Sequence, residues 1–416
     1  MDTERKKISY ADILSQKEYL KIIFSNIINR FGDSVDAIAF TWLVYAVTES
    51  ASWSAVIFAL NQLPSVLLQP FAGPIVERMN KKRVMVASDI VRGVITAGLA
   101  VMYFTGHTNP WVLAVFTFCN SSVEAFCLPA GMALIPQILK DEYYAYGTSL
   151  NTTVSTIVQL IGYGAAGFII GKAGIEAAIM IDAFSFFGSA IIRAFLHVKE
   201  SFHNEEKMNM HVYMEMLKDG MRCVKEKTVI RNFCMLGIVV NAIVVPLNSL
   251  QSPLVSEVFE GGSELLSLIS VLCTAGMGMG AFLCPILKKK ISVNNLITGG
   301  GILVGAGMIL YTFGIYCKNF QAASGMLAGI ASLLIGIGVS LVSAVLGVQF
   351  VEAVKQEYLA RVGAIFNALA TAAVPAASIV VSVLAGICSV RQIFMVSGLV
   401  CVLLFGYIKI RKVQFE

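Results

Sequence analysis

The sequence predicts an all-α integral membrane protein with twelve transmembrane helices in two six-helix halves. Of its 416 residues, 57% are hydrophobic and 14% are charged, whereas an ordinary soluble domain has roughly 25% charged residues. Twelve apolar stretches are long enough to cross a hydrocarbon layer of about 30 Å. The basic residues cluster in alternate loops between these stretches, as they do in multi-pass membrane proteins.

The apolar stretches define the spans and the domain boundaries. The predicted spans are residues 19–47, 53–77, 83–105, 110–138, 147–171, 175–197, 229–257, 263–287, 293–316, 320–350, 361–387 and 391–410. Residues 19–197 therefore form the first half and residues 229–410 the second. Segment 1–18 and tail 411–416 lie outside the bilayer.

The distribution of Lys and Arg predicts the orientation. The outer loops hold only Lys172, Lys318 and Arg391, and short loops rich in basic residues stay in the cytoplasm. We therefore expect both termini to be cytoplasmic and the protein to lie in the plasma (cell inner) membrane as a monomer. The net charge of +5 then reports orientation, and no nucleic-acid partner is expected.

The longest polar stretch, residues 198–228, is the predicted cytoplasmic linker between the halves. Its apolar residues recur every three or four positions, which predicts an amphipathic helix on the membrane surface. These residues are Met210, Tyr213, Met214, Leu217, Met221 and Val224.

A basic turn joins the second and third spans. It contains Lys81, Lys82 and Arg83, and it follows the pair Glu77-Arg78. We expect Gly73 to let two helix backbones approach closely and Asn80 to adopt the left-handed conformation that closes a helix. Asp89, in the third span, is expected to lie within reach of Arg78.

This turn resembles the loop signature of the major facilitator superfamily, with Glu77 in place of the usual Asp and Asn80 in place of the second Gly. The resemblance implies the twelve-helix fold of that family and a conformational latch that holds the outward-facing state. The implied latch residues are Gly73, Glu77, Arg78, Lys82, Arg83 and Asp89. The alternative is a basic turn that only fixes topology.

The first half also resembles the macrolide-efflux type of that superfamily. The matching strings are Arg30-Phe-Gly32-Asp33, Thr41-Trp42, Phe126-x-x-Pro129-Ala130 and Leu150-Asn151. The glycines of the fifth span, which include Gly162, resemble a motif of the drug/proton antiporter branches, and they predict close helix packing. Members commonly carry an Arg early in the fourth span that is linked to proton coupling, and the matching position here is Asn120.

Ionisable residues inside spans are costly, so each is a functional hypothesis. The first span holds Arg30, Asp33 and Asp36 beside Asn26. Arg30 and Asp33 are three residues apart and can neutralise each other, and Asp36 lies nearer the outer half, where water can reach it. Arg193, near the end of the sixth span, is expected to extend to the membrane surface.

Glu124 lies at the middle of the fourth span. A carboxyl group at that depth is protonated, paired with a basic group, or exposed to water. Two interpretations stay open: a site for proton exchange or cation recognition, or a structural partner of Arg30. Together with Arg30, Asp33 and Asp36, Glu124 forms the predicted proton and substrate site.

The predicted function is secondary transport by alternating access: proton-coupled export of a hydrophobic or amphipathic small molecule. Asn26, Asn241, Asn248, Gln349 and Asn367 are expected to line the cavity. The alternatives are a lysophospholipid flippase of the same fold and a membrane sensor that does not transport. The sequence has no phosphate-binding loop, no pair of histidines at metal-binding spacing and no Cys-x-x-Cys motif. We therefore expect no enzyme activity, no cofactor and no metal site.

Overall fold

The computed structural model describes residue 13 and residues 15–139, 141–198, 228–317, 320–353 and 356–411. Within these ranges the chain folds into helices without strands. The helices are α1 Lys17–Thr48, α2 Ala51–Leu67, α3 Gln69–Glu77, α4 Lys81–Phe104, α5 Pro110–Ile138, α6 Asp141–Ala173, α7 Ile175–Ala194, α8 Thr228–Ser249, α9 Ser263–Lys288, α10 Val293–Tyr311, α11 Gln321–Ala353, α12 Gln356–Ala385 and α13 Val390–Arg411. The linker 198–228 lies outside the described residues except for its two end residues, and so does its predicted amphipathic helix.

Every predicted span contains a helix, which confirms the all-α membrane fold. Helices α4 to α13 are each long and apolar enough to cross a bilayer. Helix α1 is long enough but carries the charged residues of the first span, and α2 and α3 divide the second span between them.

Local sequence explains where several helices begin and end. The second span is interrupted at Leu68, and Pro70, which has no backbone N–H to donate, lies in the first turn of α3. Helix α5 begins where the side chain of Asn109 accepts a hydrogen bond from the backbone N–H of Val112 at 3.0 Å. Beyond α8, a short helical segment continues into a π-helical turn, Leu254–Val258.

The described helices form two compact units. The first contains α1 as far as Phe40 and helices α3 to α7, and the second contains the rest of α1, α2 and helices α8 to α13. In the second unit, Tyr45 donates a hydrogen bond to the carboxylate of Glu257 at 3.0 Å. Ser52 and Ser382 donate hydrogen bonds to each other's backbone carbonyl groups at 2.6 and 3.0 Å, which ties α2 to α12.

The core of the first unit lies where α1 and α4 begin and α5 and α7 end. One buried apolar cluster comprises Ile22, Val76, Val84, Met85, Ala130, Leu134 and Leu196. Beside it, Tyr19 is buried next to Leu139 and donates a hydrogen bond to the carbonyl of Gly147 at 2.6 Å. This end of the unit is therefore firmly packed.

Glycines let α1 pack tightly against two neighbours. A Cβ atom at Gly32 would collide with the side chain of Ser185 and would lie 2.6 Å from an oxygen of Asp182. A Cβ at Gly162 would lie 2.6 Å from the Cβ of Ser34, which confirms the close packing predicted for this glycine. Both contacts fix α1 against the helices that carry the site.

We expect Gly32→Ala to destabilise the protein by about 1–3 kcal/mol, the usual cost of overpacking, because Ser185 cannot move away without shifting α7. Gly98→Ala is the matched control, since a Cβ at Gly98 would meet no described heavy atom within 4 Å. Thermal unfolding of both variants should show a lower melting temperature for Gly32→Ala alone. An unchanged melting temperature for Gly32→Ala would contradict the tight contact between α1 and α7.

Candidate functional site

A cavity of about 280 Å³ lies within the first unit. Polar and charged side chains from five helices line it, and an apolar stretch of α5 completes its wall. The polar lining residues are Asn26, Asn29, Arg30, Asp33, Asp89, Arg92, Glu124, Asn151, Ser155 and Arg193. The structure thus brings together four residues predicted for the site or cavity, namely Asn26, Arg30, Asp33 and Glu124.

Arg92 of α4 is one of three arginines that line this cavity. Its Nε donates a hydrogen bond to Oδ1 of Asn120 at 3.0 Å, and its Nη2 donates to Oδ1 of Asp33 at 3.3 Å. Its guanidinium carbon lies 4.2 Å from the centre of the Phe186 ring, a cation–π geometry. Side-chain exposure is 11% for Arg92 and 34% for Asp33. Arg92 is thus held in place on several sides.

Glu124 is the most exposed acid of the cavity. Its Oε2 lies 3.8 Å from Nη2 of Arg92, and its side chain is 44% exposed. The prediction that Arg30 pairs with Glu124 or Asp33 is wrong, because the basic partner of both acids is Arg92. Arg30 lines the cavity with an exposed side chain.

Asp36 and Asp182 are two further acids near Asp33, and neither is part of the cavity lining. Asp182 of α7 is buried, and Oδ1 of Asp36 is a buried atom without a hydrogen-bond partner among the described residues. That oxygen is therefore not placed in a water-filled vestibule. Asp36 and Asp182 interact electrostatically with Asp33 and with Arg92. Four carboxyl groups thus share the field of one guanidinium group.

A second network joins α4 to α7 through Asp89 and Arg193. Both carboxylate oxygens of Asp89 lie 2.9 Å from Nη1 of Arg193, and Oδ2 accepts a further hydrogen bond from Ser189 at 2.8 Å. Arg193 also donates to Ser25 at 3.2 Å and to Asn26 at 3.0 Å. The predicted membrane-surface position of Arg193 is wrong, because the ion pair keeps this side chain buried.

The basic turn differs from its predicted geometry in three respects. Asp89 pairs with Arg193 instead of Arg78, and Arg78 is exposed. A Cβ at Gly73 would meet no described heavy atom within 4 Å, so Gly73 is not at a close helix contact. Asn80 has a φ of −67° and begins α4, where its side chain accepts a hydrogen bond from the N–H of Arg83; it does not close a helix in the left-handed region.

Charged side chains also bind the end of α7. Lys82 and Lys21 donate hydrogen bonds to the carbonyls of Leu196 and Phe195 at 2.8 and 2.9 Å, which is favourable at a helix C-terminus. Glu18 accepts one from the backbone N–H of His197 at 2.8 Å. Partial burial alone would raise the pKa of Glu18, but hydrogen bonds from Lys21 and the His197 amide lower that pKa overall. Lys82 thus holds α4 to α7, while the side chain of Glu77 lies outside the described residues.

The polar residues predicted to line the cavity from the second half lie in different environments. Asn241 donates a hydrogen bond to the carbonyl of Ala370 at 3.3 Å, and Gln349 is buried. Asn248 and Asn367 are exposed. A small void in the second unit is lined by apolar residues such as Val240 and Ile243, and these four polar residues are not part of its lining.

Sequence reasoning did not select Arg92 and Asn120 as site residues. Arg92 follows Asp89 by three positions, so both face the same side of α4. Asp182, Ser185, Ser189 and Arg193 follow one another at intervals of three or four along α7, a polar stripe in an apolar span. These two stripes were the available signal, because a polar face on a membrane helix must meet polar partners.

We expect Asp89→Asn or Arg193→Gln to lower the free energy of unfolding by about 3–5 kcal/mol, because each change leaves one buried charge without its partner. The double variant should lose less than the sum of the two single variants. Arg231→Gln, at an exposed position, is the control. Additive losses in thermal unfolding would contradict a direct coupling between Asp89 and Arg193.

Comparison with known proteins identifies the family. Residues 22–374 match the model of the Major Facilitator Superfamily. The chain is 23% identical over 394 residues to the uncharacterized MFS-type transporter YvqJ of Bacillus subtilis, covering 94% of this chain and 91% of that one. It is 21% identical over 367 residues to macrolide efflux protein A of Streptococcus pyogenes, covering 86% and 88%. A mutant form of nucleoside transporter NupG has a similar fold, with a TM-score of 0.76 and 12% identity over 94% of this chain and 99% of that one. The chain therefore belongs to the Major Facilitator Superfamily and is a multi-pass membrane transporter.

Proposed function

We propose that this transporter exports an amphipathic small molecule in exchange for protons, by alternating access. The observation that carries the proposal is the Glu124 carboxylate, which faces the cavity, is 44% exposed and has its basic partner only at 3.8 Å. Such a group can bind and release a cation without breaking a buried ion pair. Relatives named as macrolide and multidrug efflux proteins support the direction of transport.

The balance of charge supports protons as the coupling ion. Asp33, Asp36, Glu124 and Asp182 share the field of Arg92, and Arg30 also lines the cavity, so full ionisation of the four acids would leave two negative charges uncompensated. An uncompensated charge there costs several kcal/mol. Bound protons or a bound cation must therefore supply the balance. A transport cycle in which the site binds protons and the cation in turn would couple transport to the proton gradient.

We propose that the protein works as a monomer in the plasma membrane with both termini in the cytoplasm. The clustering of Lys and Arg in alternate loops supports this orientation. We further propose that the turn after α3 is a conformational latch, in which Glu77, Arg78 and Arg83 make the contacts that change. Asp89 and Lys82 hold α4 against α7 instead, and a Cβ at Gly73 would meet no described heavy atom within 4 Å.

We expect Glu124→Gln to retain binding of a neutral substrate and to lose the dependence of transport on a pH gradient, because the amide mimics the protonated carboxyl at nearly the same volume. The measurement is uptake into proteoliposomes with and without an imposed pH gradient. Glu264→Gln, at an exposed position at the start of α9, is the control. Normal coupling in a stably folded Glu124→Gln protein would exclude Glu124 as the proton site.

We expect Arg78→Ala to lower the transport rate at least tenfold while expression and membrane insertion stay near normal. Arg78 is exposed, so its removal strands no buried charge, and Lys81, Lys82 and Arg83 still determine topology. Arg411→Ala, at the exposed end of α13, is a suitable control. A transport rate equal to that of the unmodified protein would show that the turn fixes topology only.

A further inference from the structure

We propose that the cavity of the first unit contains a subsite for a neutral group with several hydroxyls, such as a sugar, formed by Asn29, Asn151 and Ser155. This inference rests on the proposed transport function and specifies the polar part of its substrate. It follows from a chain of hydrogen bonds that determines which atoms of these side chains are left unpaired.

The buried Asp89–Arg193 pair fixes the orientation of two asparagine side chains. Nη2 of Arg193 donates a hydrogen bond to Oδ1 of Asn26 at 3.0 Å, so the other end of that amide is its NH2 group. Nδ2 of Asn26 then donates to Oδ1 of Asn151 at 3.0 Å. The amide of Asn151 is therefore oriented as well, and its NH2 group is a donor without an acceptor among the described residues.

Asn29 supplies a matching acceptor. Its Nδ2 donates a hydrogen bond to Oδ1 of Asp89 at 3.4 Å, and an ionised carboxylate only accepts, so the amide oxygen of Asn29 is left for another donor. Asn29 is 8% exposed and lines the cavity, and its Oδ1 is a buried atom without a hydrogen-bond partner in the described part of the chain. Because a buried acceptor without a partner is unfavourable, a ligand that donates a hydrogen bond to it gains affinity.

Ser155 extends the subsite along α6. It follows Asn151 by four positions, so both lie on one face of the helix, and both line the cavity. Within the described ranges, the hydroxyl group of Ser155 makes no hydrogen bond. The subsite thus offers an NH2 group, a hydroxyl group and an amide oxygen. Neighbouring hydroxyl groups of one ligand satisfy all three, because each hydroxyl both donates and accepts.

The charges of the lining favour a neutral ligand. Three basic and three acidic side chains line the cavity, so their formal charges cancel when all six are ionised; they are Arg30, Arg92, Arg193, Asp33, Asp89 and Glu124. An ionic ligand would add an unbalanced charge inside the membrane, which is costly. A neutral ligand with hydroxyl groups binds without that cost.

An anion is the competing class of ligand. Arg30 lines the cavity with an exposed side chain that has no partner among the residues described. Arg92 also has N–H groups beyond those that donate to Asn120 and Asp33. A test of the subsite must therefore include a probe with a negative charge.

The same cavity also accommodates an apolar group. Leu128, Met132 and Ile135 of α5 line it, and its volume is about 280 Å³. Small-molecule sites span about 300–1,000 Å³, so this cavity is close to the lower end of that range. We therefore expect a ligand no larger than one sugar ring with a small apolar body.

Binding of three small aromatic probes tests the proposal. They are 4-nitrophenyl β-D-glucoside, which is neutral and has hydroxyl groups, 4-nitroanisole, which is neutral without them, and 4-nitrophenyl β-D-glucuronide, which adds a carboxylate to the sugar. Equilibrium dialysis of the purified full-length protein in lipid nanodiscs, with empty nanodiscs as the blank, gives three dissociation constants. We expect the glucoside to bind at least tenfold more tightly than 4-nitroanisole, which leaves the polar groups unpaired, and at least as tightly as the glucuronide.

Substitutions in α6 locate the subsite. Ser155→Ala and Asn151→Leu should each weaken binding of the glucoside about three- to tenfold, the usual effect of losing one hydrogen bond, and should leave binding of 4-nitroanisole unchanged. Ser155→Thr, which keeps the hydroxyl group, should restore most of the affinity that Ser155→Ala loses. Thr153→Ala and Asn248→Leu, at exposed positions, are the matched controls and should bind all three probes normally.

The proposal is overturned if 4-nitroanisole binds as tightly as the glucoside, or if Ser155→Ala and Asn151→Leu melt normally and both bind the glucoside normally. If Asn151→Leu does not fold, Ser155→Ala decides alone. Tighter binding of the glucuronide would overturn the neutral class, and loss of that advantage in Arg30→Gln would identify Arg30 as an anion site.

The proteoliposome measurement decides proton coupling separately. A preference for the glucoside without a response of transport to a pH gradient would refute the coupling and leave the ligand class intact. Transport driven by a pH gradient without that preference would refute the ligand class and leave the proposed transport function intact.

Discussion

The cost of placing charge inside a membrane governs the whole first unit. Charged side chains on α1, α4, α5 and α7 would each be unfavourable alone in hydrocarbon, so the helices that carry them must pack together. Asp89 and Arg193 meet this requirement by direct pairing at 2.9 Å, and Arg92 meets it by serving two carboxylates. The close contact of Gly32 with Ser185 brings α1 near α7, the helix that carries Asp182 and Arg193.

The two networks differ in how completely their members are satisfied. Both carboxylate oxygens of Asp89 have hydrogen bonds of 2.9 Å or shorter, and the side chains of Asp89 and Arg193 are buried. Around Arg92, the acids are partly exposed and outnumber the cation. A saturated buried pair resists change because removal of either partner is costly, whereas an unsaturated and solvated carboxylate can exchange ligands. The first network therefore holds the helices together, and the second is the one that we propose to exchange protons.

The sequence alone was sufficient to predict the helices but not to predict which of them contact one another. Span limits depend on local apolar length, so predicted spans such as 110–138 and 263–287 agree closely with α5 and α9. The partner of Asp89 lies 104 positions away and depends on which helices are neighbours, which local patterns do not contain. Arg30 is close enough to Asp33 in sequence to neutralise it, but its side chain is exposed, and Arg92 approaches Asp33 from another helix.

Asn120 shows that a charge expected at one sequence position can be supplied by a residue of a neighbouring helix. The family resemblance implies an arginine linked to proton coupling at this position of the fourth span, and Asn120 carries no charge to replace it. The side chain of Asn120 instead accepts a hydrogen bond from Nε of Arg92, so α4 brings a guanidinium group to the same region. Because electrostatic interaction depends on distance and burial and not on the helix of origin, a cation supplied by α4 can balance Glu124 as one on α5 would. A guanidinium group thus lies near Asn120 and Glu124 although the expected arginine is absent from α5.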